Sequence, residues 1–210
     1  MGGNNVIRRI RSGAREVSLV FGMIERLRYY QWLARGKPVP APHLAKRLII
    51  EDFARKHRLN VFVETGTYLG DMVWGLRGIF KRIYSIELSD DLYRKAKSRF
   101  QRCPNVILLN GNSGELIKDV LAGLSEPALF WLDGHYSGGI TARGTLETPI
   151  KSELKQIFDH SFSTKHVILI DDARCFGVGD YPRIEPLKDW AASRGYGHFK
   201  VTDDIIRIYA

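Results

Sequence analysis

Val61-Phe62-Val63-Glu64-Thr65-Gly66-Thr67-Tyr68-Leu69-Gly70 runs from an apolar stretch into an acid and then into two glycines four residues apart. The apolar stretch reads as a buried strand, and the glycines mark a tight turn before a helix. Glycine lets the backbone pass close to a ligand, and a helix N-terminus offers unpaired N–H groups, so the turn suits a nucleotide-like ligand. A second acid, Glu87, ends the next apolar run, Arg82-Ile83-Tyr84-Ser85-Ile86-Glu87. It follows the turn by about 20 residues, where a carboxylate can hydrogen-bond ribose hydroxyls.

The turn departs from the dinucleotide fingerprint Gly-x-Gly-x-x-Gly, since the spacing here is Gly66-x-x-x-Gly70 with Thr67 in the gap. Glu64 also puts negative charge where a pyrophosphate would lie, and repulsion opposes that ligand. A cationic ligand with an amino group is favoured instead, and S-adenosylmethionine (SAM) is one. The string Glu64-Thr65-Gly66-Thr67-Tyr68-Leu69-Gly70-Asp71 resembles motif I of class I SAM-dependent methyltransferases. It is most similar to the catechol O-methyltransferase variant, with its wider glycine spacing. The competing reading is an ordinary strand-turn-helix junction, and Glu87 at its distance tips the balance toward SAM. The resemblance implies a cofactor site lined by Glu64, Gly66, Thr67, Tyr68, Gly70, Asp71, Glu87 and the adjoining Leu88.

Further along, predicted strands at 60–64, 82–86, 105–109, 127–132 and 165–170 alternate with predicted helices at 70–79, 89–100, 113–122 and 149–159. A helix over 43–57 precedes them and turns Leu44, Leu48, Ile49, Ile50 and Phe53 to the sheet. Such alternation builds a parallel sheet with helices on both faces. A helix at 184–194 and two strands, 197–201 and 205–209, follow; only Thr202-Asp203-Asp204 separates the strands, so they pair as a hairpin. The expected fold is therefore α/β and Rossmann-like: five parallel strands plus an antiparallel C-terminal hairpin, seven strands in all. This is the architecture of the family that motif I resembles.

With 210 residues, the chain suffices for one such domain with its own core, and 44% hydrophobic with 26% charged residues is the balance of a soluble globular protein. No apolar run is long enough to span a bilayer, and no signal-peptide pattern precedes the first arginines. Cys103 and Cys175 give neither a disulfide framework nor a metal-ligand spacing, which points to a reducing cytoplasm.

Net charge is +9 and uneven, because residues 1–37 hold eight Arg and Lys against Glu16 and Glu25. The same segment carries Val17, Val20, Phe21, Ile24 and Leu27 at helical spacing, then Tyr29, Tyr30, Trp32 and Leu33. It reads as a basic amphipathic helical extension of a methyltransferase-like domain at 38–210. Gly36-Lys37-Pro38-Val39-Pro40-Ala41-Pro42 reads as a stiff linker between them. The extension packs on the domain or on a second subunit of a homo-oligomer, or lies peripherally on an anionic membrane, or holds a polyanion such as nucleic acid.

The third strand ends Asn110-Gly111-Asn112-Ser113. Methyltransferases of the resembled class often have Gly-Asp-Ser or Gly-Asp-Ala here, beside the adenine. Asn112 is thus expected at the purine edge, with Ser113 capping the next helix. Strands four and five end in Asp133 and in Asp171-Asp172, delivering three carboxylates to the C-terminal edge of the sheet, where ligands of open α/β sheets bind. Carboxylates that converge need a counter-charge, and a Mg²⁺-type divalent ion takes oxygen ligands. The pattern resembles the metal site of catechol and macrocin O-methyltransferases, which implies Asp133, Asp171 and Asp172 as ligands. The alternative for each Asp is N-capping or turn formation.

Residues 134–149 read as a long Gly/Thr-rich loop over the acceptor, with Arg143 able to pair with an acidic group on it. Within the loop, His135 is the general-base candidate, since an imidazole accepts a proton near neutrality. Asp133, which also borders the cofactor, is the alternative base, and Tyr136 is a further candidate base or a substrate wall. The catechol family uses a Lys near here, and none occurs in 128–150. The function implied is SAM-dependent O-methylation of a small-molecule or saccharide acceptor with divalent-ion assistance. Enzymes that methylate base amino groups place an Asn/Asp-Pro-Pro-Tyr/Phe turn after strand four. Here that place reads Asp133-Gly134-His135-Tyr136, so a nucleic-acid acceptor loses ground. A non-catalytic SAM-fold module is opposed by the intact Glu64, Glu87, Asp133 and His135.

Overall fold

A computed structural model describes residues 20, 22–133 and 148–210. In chain order it contains α1 (22–34), α2 (His43–His57), β1 (Val61–Thr65), α3 (Asp71–Leu76), β2 (Arg82–Glu87), α4 (Asp90–Phe100) and β3 (Val106–Asn110). There follow α5 (Ser113–Ala122), β4 (Ala128–Leu132), α6 (Ile150–Asp159), β5 (Val167–Ile170), α7 (Ile184–Ser193), β6 (His198–Thr202) and β7 (Ile205–Tyr209). Among the described residues these strands form one seven-stranded sheet in the order β3-β2-β1-β4-β5-β7-β6. β1 pairs in parallel with both β2 and β4, so the strand order reverses between β1 and β4. At such a switch point the loops on either side part and leave a crevice at the C-terminal ends of the strands.

Burial explains why the central strands read as unbroken apolar runs. β1 and β4 are buried at every position, as parallel strands covered on both faces must be. Val61, Val63, Phe130, Leu132 and Ile168 face a core closed by α5, α6 and α7 through Ile117, Leu154, Ile157 and Leu187. Phe62, Ile83, Leu129, Trp131 and Leu169 face the opposite core, closed by α2, α3 and α4 through Ile50, Phe53, Leu76 and Phe100. Edge strands β3 and β6 carry exposed positions instead.

The α/β seven-stranded expectation holds, with the hairpin turning at Asp203 and Asp204, φ 56° and 65°. Positive φ at both central residues matches the right-handed twist of the flanking strands. Leu48 does not face the sheet and is 38% exposed. At 3.6 residues per turn it lies about 140° round the helix from Phe53, on the far side from the sheet.

The linker after α1 does not hold the two parts apart. Gly36 and Lys37 take positive φ and the Lys37 N–H returns to the Trp32 carbonyl at 2.9 Å. Trp32 then packs on Ala41 and Ala45, its Nε1 donating to the Pro38 carbonyl at 2.8 Å, and Glu25 meets His43 at 3.0 Å. Among the described residues no helix is long and apolar enough to cross a membrane.

Candidate functional site

Five acids stand at or beside the C-terminal ends of four neighbouring strands: Glu64 on β1, Glu87 on β2, Asp133 after β4, and Asp171 and Asp172 after β5. Backbone bonds continue the ladder past the strand ends and fix where these acids emerge. Asp133 N donates to Thr65 O at 3.1 Å and Asp171 N to Leu132 O at 3.0 Å.

The turn after β1 is held from below. Gly66 N donates to Ile86 O at 2.9 Å, and Tyr68 N donates to Glu87 Oε2 at 2.7 Å. The other oxygen of Glu87 accepts from Ser89 N at 2.9 Å. Glu87 therefore ties the loop to the start of α4, with Leu88, 37% exposed, beside it. Tyr68 pays for its place with a left-handed φ of 49° and stays 47% exposed over the edge. Gly66 turns at φ 90°.

Gly70 has a different reason to be glycine. It precedes α3 at φ 75°, and a Cβ there would lie 2.7 Å from Phe100 Cε2. It is a packing contact between the turn and α4 as well as part of the loop. Asp71 pairs with Arg99 Nη1 at 2.7 Å, and the same guanidinium bonds Leu69 O, so both staple the loop to α4.

Glu64 lies beneath the turn, 2% exposed. Ser85 Oγ donates to it at 2.6 Å, leaving Thr67 Oγ1, 2.6 Å from Ser85 Oγ, to donate to the serine. Burial, partly offset by the Ser85 bond and reinforced by Asp133 and Glu87, pushes Glu64 up to about 8. A carboxyl so placed is ionised more readily when a positive charge lies beside it.

The cap of α5 is Asn112 and not the expected Ser113. Asn112 Oδ1 accepts from Gly114 N at 2.9 Å and caps α5, because its backbone is extended and Ser113 is already helical. Ser113 is buried beside Glu153 of α6, which sequence reasoning missed. Glu153 is 1% exposed, and burial, eased by Ser113 and Thr65, pushes it up to about 7. The signal was an acid within the apolar face of α6, between Ile150, Leu154 and Ile157.

At the β4–β5 end the counter-charge comes from protein. Lys46 of α2 donates its Nζ to Asp171 Oδ2. Burial works against this ammonium, and the carboxylates of Asp171, Asp133 and Asp172 outweigh it and raise its pKa. Asp171 in turn is held above the usual carboxylate range by burial and by Asp133, against the pull of Lys46. Asp172, at a left-handed φ of 53°, accepts from Arg174 Nη1 at 2.7 Å, and Arg174 also pairs with Asp204 of the β6–β7 turn. Tyr181 stands nearby, its phenol pushed up by burial and further by Asp172 and Asp133.

Among the described residues no group of three His, Cys, Asp or Glu side chains is gathered to hold a metal ion. The donors expected to bind one do not fit it as arranged, since Lys46 holds Asp171 and Arg174 holds Asp172. His135, Tyr136 and Arg143 lie outside the described residues.

Three solved structures share this arrangement of strands. A methyltransferase of Podospora anserina bound to SAH is 16% identical, with 93% of this chain and 95% of that chain covered and a TM-score of 0.55. An O-methyltransferase of Streptomyces achromogenes, involved in tomaymycin synthesis and in complex with SAM, is 14% identical over 87% and 86%, TM-score 0.55. The O-methyltransferase from Bacillus cereus in complex with SAH is 16% identical over 85% and 86%, TM-score 0.54. The fold is that of the class I methyltransferases. No protein-family model matches the chain, and no curated protein matches it. The class I fold places a crevice at the β1–β4 switch point, and in this chain that crevice is rimmed by acids.

Proposed function

We propose that this protein is a SAM-dependent methyltransferase acting on an oxygen of a small-molecule or saccharide acceptor. The observation that carries the reading is the acidic rim itself. Glu64, Glu87 and Asp133 bracket the turn at the switch point, and burial together with Asp133 and Glu87 pushes Glu64 up to about 8. Nucleotides that carry a pyrophosphate are repelled by such a rim, while a nucleoside with a sulfonium and an ammonium is attracted.

SAM supplies a methyl group on a positively charged sulfur; transfer breaks the S–CH₃ bond, forms O–CH₃, and releases the acceptor's hydroxyl proton. Glu87, at the end of β2, is suited to the ribose hydroxyls. Glu64 answers the ammonium, and the turn's N–H groups answer the carboxylate. Asn112, whose Oδ1 caps α5, keeps its amide N–H₂ for the adenine edge. Asp133, Asp171 and Lys46 form the acceptor end of the crevice, where Lys46 orients Asp171 as a metal ion would otherwise do. His135, two residues past Asp133 in sequence, takes the proton, with Asp133 as the alternative base.

The test is titration calorimetry of SAM and SAH with the full chain, followed by a screen of hydroxylated acceptors with methyl-labelled SAM. Saturable binding and label on an acceptor oxygen support the reading, and absence of SAM binding overturns it. Binding without transfer to any acceptor is the mark of a non-catalytic SAM-fold module.

A further inference from the structure

Helix α1 presents two opposed faces. The inner face carries Glu25, Tyr29 and Trp32 and is fastened to α2 through His43 and Ala45, and to Ala41 just before it. The outer face carries Val20, Met23, Ile24, Leu27 and Tyr30, which are 56%, 69%, 42%, 59% and 65% exposed. At 100° per residue these five fall within an arc of about 120°, completed by Gln31 and Ala34. Arg26 borders the arc on one side, and Arg28 and Arg35 on the other, each about 40° or less from its edge. All three arginines are exposed. The acid of this helix, Glu25, lies on the opposite face against His43.

We propose that the outer face of α1 seats the protein on an anionic lipid bilayer. An apolar stripe edged by arginines matches a membrane interface, where the stripe enters the acyl boundary and the guanidiniums reach the phosphates. A second copy fits less well. Thirteen helical residues are about 20 Å long, so the stripe covers on the order of 200–400 Å², against roughly 800 Å² per partner in a stable interface. Two copies of the face would also bring arginine against arginine. Nucleic acid leaves the apolar stripe unmatched. His43, which the inner face of α1 meets through Glu25, and site residue Lys46 share one turn of α2, so docking through α1 keeps the acceptor end of the crevice near the lipid surface.

The experiment is cosedimentation of the full chain with vesicles of phosphatidylcholine alone or with one third phosphatidylglycerol. Binding is expected to be at least tenfold stronger with phosphatidylglycerol and to fall as salt is raised. The paired change Met23→Glu and Leu27→Glu, on exposed positions, should abolish it. Neutralising Arg26, Arg28 and Arg35 to Gln should weaken it about fivefold for each. Calorimetric SAM affinity, measured on the same variants, reports that the domain is intact and separates this inference from the methyltransferase reading. Equal binding to both vesicle types, binding that survives Met23→Glu/Leu27→Glu, or light scattering that shows a dimer lost in that variant would each overturn the proposal.

Discussion

Lys46 Nζ donates to Asp171 Oδ2, so a cation on α2 meets a carboxylate at the end of β5, 125 residues further along the chain. The pair sits in a cluster that also holds Asp133 and Asp172. Three carboxylates at one edge demand positive charge; here α2 and the turn after β5 provide it through Lys46 and Arg174.

Glu87 joins the turn after β1 to the start of α4 through Tyr68 N and Ser89 N. Glu87→Ala should weaken SAM by roughly 1–3 kcal/mol, the cost of losing charged hydrogen bonds. Calorimetry checks this, with circular dichroism to verify the fold. An unchanged affinity would remove Glu87 from the cofactor site.

Gly70 combines a φ of 75° with a Cβ position 2.7 Å from Phe100. Gly70→Ala should cost about 2–4 kcal/mol, adding overpacking to a left-handed backbone. That corresponds to a Tm lower by roughly 5–15 °C in a chain of this size. Gly78→Ala is the control, because nothing lies within 4 Å of its Cβ position. Equal Tm values for the two variants would refute the packing role.

The strands and their order of appearance were legible because central parallel strands are apolar on both faces, and β1, β4 and β5 read as such runs. Glu87, Asp133 and Asp171 were legible as acids that end strands. Which of Asn112 and Ser113 caps α5 was not, because that depends on where the backbone turns helical, and both types cap well. Lys46 was hidden for another reason. Its partner is distant in sequence, and the one local sign was a lysine a turn ahead of Ile50, in line with the buried face of α2. The resembled family keeps its lysine in the strand-four loop instead.

Glu153 gives a pH dependence of defined sign. Its folded value of about 7 stands above the ordinary 4.5, so the native protein keeps this proton longer than the unfolded chain. The stability it contributes is full below about pH 4.5 and is lost as pH rises through about 7. Glu153→Gln should therefore be more stable than the parent at pH 9 by up to about 3 kcal/mol. At pH 5 it should differ little. Denaturant unfolding at the two pH values checks this, and a difference that does not grow with pH would show that Glu153 is ionised in the fold.

The proposed acceptor end, at β4 and β5, separates two sources of counter-charge. If Lys46 serves Asp171, methyl transfer should persist in excess chelator, while Lys46→Met should slow it sharply and lower stability by roughly 3–5 kcal/mol, as for a buried pair that loses one partner. Lys46→Arg, which keeps the charge, should fold and recover part of the rate. Removing His135 should cost on the order of 10²–10⁴ in rate with SAM affinity retained, the share of a general base. Near-normal turnover by His135→Ala would transfer the base to Asp133. Turnover lost to chelator and restored by Mg²⁺ would mean that Lys46 leaves Asp171 during turnover, freeing Asp133, Asp171 and Asp172 to hold an ion. Lys46→Met would then lower stability without slowing the metal-supported rate, so chelation and the two Lys46 variants together decide which cation serves the acceptor.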